Sequence, residues 1–251
     1  MRKQIQPFIA IAGLIFLTAC NLAKATPTPQ VDLPSPVAPT QTPPVPATVT
    51  QTITPSPTFT TTPYPKFFTE EFNSDLSAWE SFQTGGSSSP TTNLENNLLR
   101  INITAPHTWY YAIHNTHEYS NVTVSAKVDG NPGGAMGVIC YYDEASGWYE
   151  FNVASDGTYS VLLGQWLAPE IAQYTPLATD STGYLQYGSL NYEIGMTCQD
   201  GNLLLYVNGA ILRKLDVTRY GLTGGNIGIT ASSFGEVPMT AFFDWVKVSE
   251  K

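Results

Sequence analysis

From Phe67 onward the chain is broken into short alternating runs by turn residues, and no stretch keeps a sustained helical period. The runs are "LLRINIT" (98–104), "NVTVSAKV" (121–128), "AMGVICYY" (135–142), "WYEFNVA" (148–154), "TYSVLL" (158–163), "LNYEIGMTC" (190–198), "LLLYVN" (203–208), "NIGITA" (226–231) and "AFFDWVKV" (241–248). Their β-branched and aromatic residues recur at period two, which predicts strands. Between them lie "DGNPGG", "DEASG", "SDG", "QDGN", "NGA" and "LTGGN", which supply the positive φ that tight hairpins need. Many short strands at even spacing build a sandwich or a barrel, and residues 67–251 suffice for one such domain.

The preceding chain cannot join that core. From Lys24 to Lys66 it reads "KATPTPQVDLPSPVAPTQTPPVPATVTQTITPSPTFTTTPYPK", in which proline removes donors, threonine offers little area to bury, and charge is nearly absent. This predicts a disordered Pro/Thr-rich stalk over residues 20–66. Extended at about 3.1 Å per residue, it would reach roughly 100 Å. Before it, Arg2 and Lys3 precede the apolar run "FIAIAGLIFL", which is short for a membrane span and suits a secretion signal over residues 1–19. The tetrad Leu17-Thr18-Ala19-Cys20 resembles the lipobox of bacterial lipoproteins. That resemblance implies cleavage before Cys20, acylation of that residue, and a protein exported and lipid-anchored on the outer face of the bacterial envelope. Several acyl chains anchor firmly where one is marginal. The net charge of −9 disfavours nucleic acid as a partner.

Period two also assigns faces. In "AMGVICYY", Met136, Val138, Cys140 and Tyr142 share one side, with Gly137, Ile139 and Tyr141 on the other. In "YEIGMTC", Tyr192, Ile194, Met196 and Cys198 share a side. Both apolar sides carry a cysteine inward. In an exported chain whose Cys20 is spent on lipid, a Cys140–Cys198 disulfide is the economical pairing. The alternative is two buried thiols packing as small hydrophobes. In "GWYEFNVA", Tyr149, Phe151 and Val153 face the core, while Trp148, Glu150 and Asn152 face outward. Pairing through "DEAS" would set Trp148 beside Tyr141, and Tyr159 extends the same face. Aromatic planes flanked by hydrogen-bonding groups are what a sugar-binding face requires. Tyr141, Trp148, Glu150, Asn152 and Tyr159 are therefore the candidate ligand-binding residues, unless they only cover the sheet beneath a loop. The segment 166–189 reads as turn-rich and able to close over them.

The stretches "EEFNSDLSAWE" (70–80), "GVICYYDEASGWYEFNVASDGTYSV" (137–161), "CQDGNLLLYVNGAIL" (198–212) and "GNIGITASSFGEVPMTAFFDWVKV" (225–248) resemble concanavalin A-like jelly rolls, nearest the laminin G-like domains and the 3-keto-disaccharide hydrolase family. The resemblance implies an all-β sandwich of two curved antiparallel sheets, with "LYVNG" as a hairpin and "FDWVKV" in a closing strand.

Catalytic groups are scarce. Glycoside hydrolysis ordinarily uses two carboxylates facing each other across a cleft. The E-x-D-x-x-E strand of laminarinase-type hydrolases is absent, as is a G-x-S-x-G elbow. The resemblance leaves Glu150 as a weak catalytic candidate without a partner acid. His107, His114 and His117 cluster in one stretch, but period two puts the last two on opposite faces, so they read as surface residues around an edge strand. No cofactor is expected beyond calcium, for which Asp129 in "DGNPGG" and Asp143 in "DEASG" are weak candidates. The expectation is a surface-displayed, non-catalytic module that binds polysaccharide or envelope glycan. The alternatives are a hydrolase acting on a modified sugar and a structural or protein-interaction domain.

Overall fold

The computed structural model describes residues 64–251; the expected leader, Cys20 and the stalk up to residue 63 lie outside the described residues. The strands are β1 (Phe68–Glu70), β2 (Trp79–Gly85), β3 (Thr91–Glu95), β4 (Leu98–Ile103), β5 (Thr108–Tyr119), β6 (Val122–Gly130), β7 (Gly134–Asp143) and β8 (Gly147–Ala154), followed by β9 (Thr158–Ala168), β10 (Ile171–Ser181), β11 (Tyr192–Gln199), β12 (Asn202–Val207), β13 (Ala210–Asp216), β14 (Gly225–Ser233) and β15 (Met239–Ser249). They form two antiparallel sheets in a jelly-roll sandwich. One runs β13-β12-β11-β6-β15-β4-β3, with β1 also on β15; the other runs β10-β9-β8-β7-β14-β5-β2. No described helix is long and apolar enough to cross a membrane.

Alternation dictates which side of each strand enters the sandwich. In β6, Val122, Val124, Ala126 and Val128 are buried while Thr123, Ser125 and Lys127 are half-buried on the other side. Leu203, Leu205 and Val207 of β12 repeat the pattern. Against them the second sheet sets Met136 and Val138 of β7, Tyr149 and Phe151 of β8, and Ile227 and Ile229 of β14. Cys140 and Cys198 meet in this layer as a disulfide, with Cα atoms 6.6 Å apart. It joins β7 to β11, so the link crosses from one sheet to the other.

The strand count exceeds the sequence reading because β1, β2, β3, β10 and β13 lack clean alternation. Segment 166–189 is not a turn-rich lid: it holds the end of β9 and all of β10, which pair over Ile171–Ser181. β5 is not an edge strand either, since β2 and β14 flank it on both sides. His114 is accordingly no surface residue. It is fully enclosed among the rings of Phe68, Tyr64 and Trp79, with centroids at 4.5, 4.8 and 5.1 Å.

Only the Nδ1 of His114 finds a partner, the Thr116 hydroxyl at 3.2 Å; its Nε2 is buried without one. Burial, with a smaller contribution from His117, pushes its pKa from 6.5 down to about 4. An imidazole held neutral in the fold but protonated in the unfolded chain makes stability fall as pH drops through 6.5 toward 4. Glu150, whose pKa is raised, contributes in the opposite direction, losing stability as pH rises past its ordinary 4.5. The His114 share is therefore read as a difference: His114→Phe should remove about 2 kcal/mol of acid-side loss between pH 6.5 and 4 in paired urea titrations. Parallel stability curves for the two proteins would refute it.

Candidate functional site

The outer face of the second sheet is unusual for a sandwich. β8 is buried at every position, although only Tyr149, Phe151 and Val153 point at the opposing sheet. Its outward residues are covered instead by large rings from the flanks of their own curved sheet. Phe82 comes from β2, Trp109 and Tyr111 from β5, Tyr142 from β7, Trp166 from β9 and Tyr174 from β10. Trp148 sits beneath them without exposure, 5.5 Å from Trp166, 5.6 Å from Tyr142 and Tyr111, and 5.9 Å from Phe82. Phe82 stacks on Tyr111 at 4.7 Å and 16°.

Small residues on the central strands make room for this layer. Gly164, opposite Trp148, leaves its α-carbon against the indole; a Cβ there would lie 2.3 Å from the Trp148 ring. Gly137 plays the same part for Asn152, whose Oδ1 would be 2.1 Å from an added Cβ.

Glu150 is the polar centre of the layer. Trp148 Nε1 donates to its Oε2 at 3.0 Å and Asn152 Nδ2 donates to its Oε1 at 2.9 Å. The Tyr111 hydroxyl lies within reach of the same carboxylate and donates to Tyr174 at 2.9 Å, which in turn bonds Thr84 at 2.7 Å. Burial raises the Glu150 pKa, and the donors only partly offset it. Glu150 is not exposed and donors occupy both its oxygens, so the carboxylate that the sequence offered as a candidate acid lies enclosed within the layer and not in an open cleft.

Two other candidates move. At the end of β7 the register slips between Cys140 and Asp143, and Tyr141 takes a positive φ of 58°. The slip turns Tyr141 into the core, where its hydroxyl donates to the Ser120 carbonyl, and puts Tyr142 outside in its place. The β14 ladder slips at the same level, and Gly225 permits it: a Cβ there would meet the Tyr142 carbonyl oxygen at 2.5 Å. Tyr159 pairs with Val153 and so faces inward, its ring 6.2 Å from Phe151 and its hydroxyl accepting from Arg213 at 3.2 Å. Trp148, Glu150 and Asn152 do share the outer side, but as a covered layer.

What is open is a cleft of about 1060 Å³ on the same face. Half-exposed Phe82, Tyr142 and Trp166 floor it together with Ile113; Gln83, Asn115 and Asn226 offer amides; Glu80, Glu118, Asp143, Glu144 and Glu170 also line it. Of these only Asp143 was foreseen as a site residue, and then as a weak calcium candidate. The sequence carried little signal for the rest, since "WESFQT" has no clean alternation to mark β2 or its outward face. Among the described residues no group of three or more His, Cys, Asp or Glu converges as a metal set. Asp129 accepts from the Gly130 amide and from Asn191, and Asp143 caps its turn by accepting from Ala145 and Ser146.

No family model matches the chain, and no curated protein matches it in sequence. Solved structures do match in fold. Bacillus licheniformis β-glucanase aligns with a TM-score of 0.51 and 14% identity over 74% of this chain and 98% of its own. A glycoside hydrolase family 16 endo-glucanase from Bacteroides ovatus aligns at 0.52 and 11%, over 72% and 99%. A Bacillus subtilis protein of unknown function with a galectin-like fold aligns at 0.53 and 12%, over 73% and 94%. At these identities the likeness is one of fold.

Proposed function

We propose that the sandwich is a non-catalytic glycan-binding module, carried on a stalk and held to the outer face of a bacterial membrane by lipid on Cys20. The observation that carries the reading is the open cleft floored by Phe82, Tyr142 and Trp166. Flat, half-exposed rings match the apolar faces of pyranoses, and the surrounding amides and carboxylates can bond their hydroxyls. The fold it shares with two glucanases is in keeping with a sugar ligand. Catalysis through Glu150 is disfavoured by its burial and by the donors already occupying it.

The test is a glycan array and titration calorimetry with the soluble chain from Asn21 onward. Trp166→Ala should weaken the best ligand about tenfold, as loss of a central aromatic contact does. Tyr187→Ala, at an 87% exposed position outside the cleft, should change nothing. An array without hits would remove the glycan reading, and equal effects of the two substitutions would remove the cleft from it. For the anchor, Cys20→Ala should abolish fatty-acid labelling and release the protein from the membrane fraction; retention there would refute lipidation at Cys20.

A further inference from the structure

The cleft has an aromatic floor, but its charge is of one sign. Glu80, Glu118, Asp143, Glu144 and Glu170 line it, and no lysine, arginine or histidine does. The ion pairs among the described residues, Arg100–Glu95 and Arg213–Asp180, involve none of these carboxylates. Glu80 stands two residues from Phe82 on the same side of β2, and Glu170 lies in the turn between β9 and β10, close in sequence to Trp166. Negative potential is therefore set around the rings themselves, not on a remote surface. A cleft of one sign with low-dielectric walls concentrates its field. For a neutral glucan that field contributes nothing, and for an acidic glycan it is repulsive.

We infer that the cleft selects glycans bearing free amino groups, polymers of unacetylated amino sugars, over neutral and anionic ones. This rests on the glycan reading above and adds the substrate class. The rings take the flat faces of the sugars, and the carboxylates take the ammonium groups that project from the ring edges. Each exposed ammonium–carboxylate contact is individually weak, so the selectivity comes from several acting along one oligomer.

The experiment compares short oligomers of glucosamine, N-acetylglucosamine and glucose, with oligolysine as a cation lacking sugar rings, on the chain from Asn21 onward. Glucosamine oligomers should bind about tenfold more tightly than the two uncharged series at low salt, a preference that shrinks toward unity near 1 M salt, where charges are screened within about 3 Å. Glu80→Gln combined with Glu170→Gln should erase most of the preference, bringing the ratio of glucosamine to N-acetylglucosamine affinity toward unity. Equal affinity for all three sugars would overturn the charge selection and leave the glycan reading standing. Failure of every sugar to bind would overturn both. Oligolysine binding as tightly as glucosamine oligomers, and indifferent to Trp166→Ala, would overturn the proposal in favour of a basic peptide ligand.

Discussion

Glu150→Leu is expected to lower the unfolding free energy by about 2–4 kcal/mol, since it leaves two buried donors without an acceptor at about 1–3 kcal/mol each. The side chain is similar in bulk, so the cost is not a cavity. It comes from Trp148 Nε1 and Asn152 Nδ2, which would keep their burial and lose their acceptor. Changing Asn152 to Leu at the same time should recover part of the loss, since removing both partners costs less than removing one. Glu150→Gln keeps one acceptor oxygen and should fall between. Urea unfolding reads this directly, as a lowered midpoint with an unchanged slope. A loss below about 1 kcal/mol would mean that the carboxylate does not organise the layer.

The double variant Cys140→Ala, Cys198→Ala should lose about 4 kcal/mol, the chain-entropy value for a closed loop of this length. The two positions are 58 residues apart, and both sulfurs are fully buried. For a domain of this size the loss corresponds to a fall in Tm of roughly 8–16 °C. The same burial predicts that mild reductant leaves the native protein linked and cleaves it only as the sandwich opens. A variant melting within a few degrees of the parent would show that the hydrophobic layer between the sheets holds register unaided. Free thiols in the native protein, found by alkylation, would refute the link.

The parts of the fold that could be read ahead were those with one face in water. β6 and β12 alternate cleanly because Thr123, Ser125, Leu204 and Tyr206 look outward while their neighbours enter the core. β5 hid its nature because "TWYYAIH" is apolar on both sides, as befits a strand covered on both sides. β10 hid for the opposite reason: it is an edge strand with Pro176 inside it and polar residues on each face. The outward set Trp148, Glu150 and Asn152 was legible, but not its cover, because Phe82 and Tyr174 come from distant strands and curvature alone brings them in. Tyr141 and Tyr142 exchanged places through a one-residue slip, and a slip of one inverts every assignment beyond it. Tyr159 follows the Asp156-Gly157 turn, whose register decides its face and is set only by the pairing with Val153.

The way the chain enters the sandwich bears on how a tethered module would carry load. Tension arriving from the stalk side meets Tyr64 first, held by its hydroxyl on Glu70 and by the His117 ring on its carbonyl, then Lys66, whose carbonyl takes the Tyr119 hydroxyl. Behind these lies β1, three residues paired with the end of β15, and then Phe72, buried in the core. Two of these holds, His117 and Tyr119, belong to β5, so a pull on residues 64–66 acts directly on the sheet that carries the cleft. Shedding residues 64–71 would pay out roughly 25 Å of extra tether at about 3.3 Å per residue. The root of the domain thus links a pull on the tether to β5, whose Glu118 and Tyr119 line the cleft.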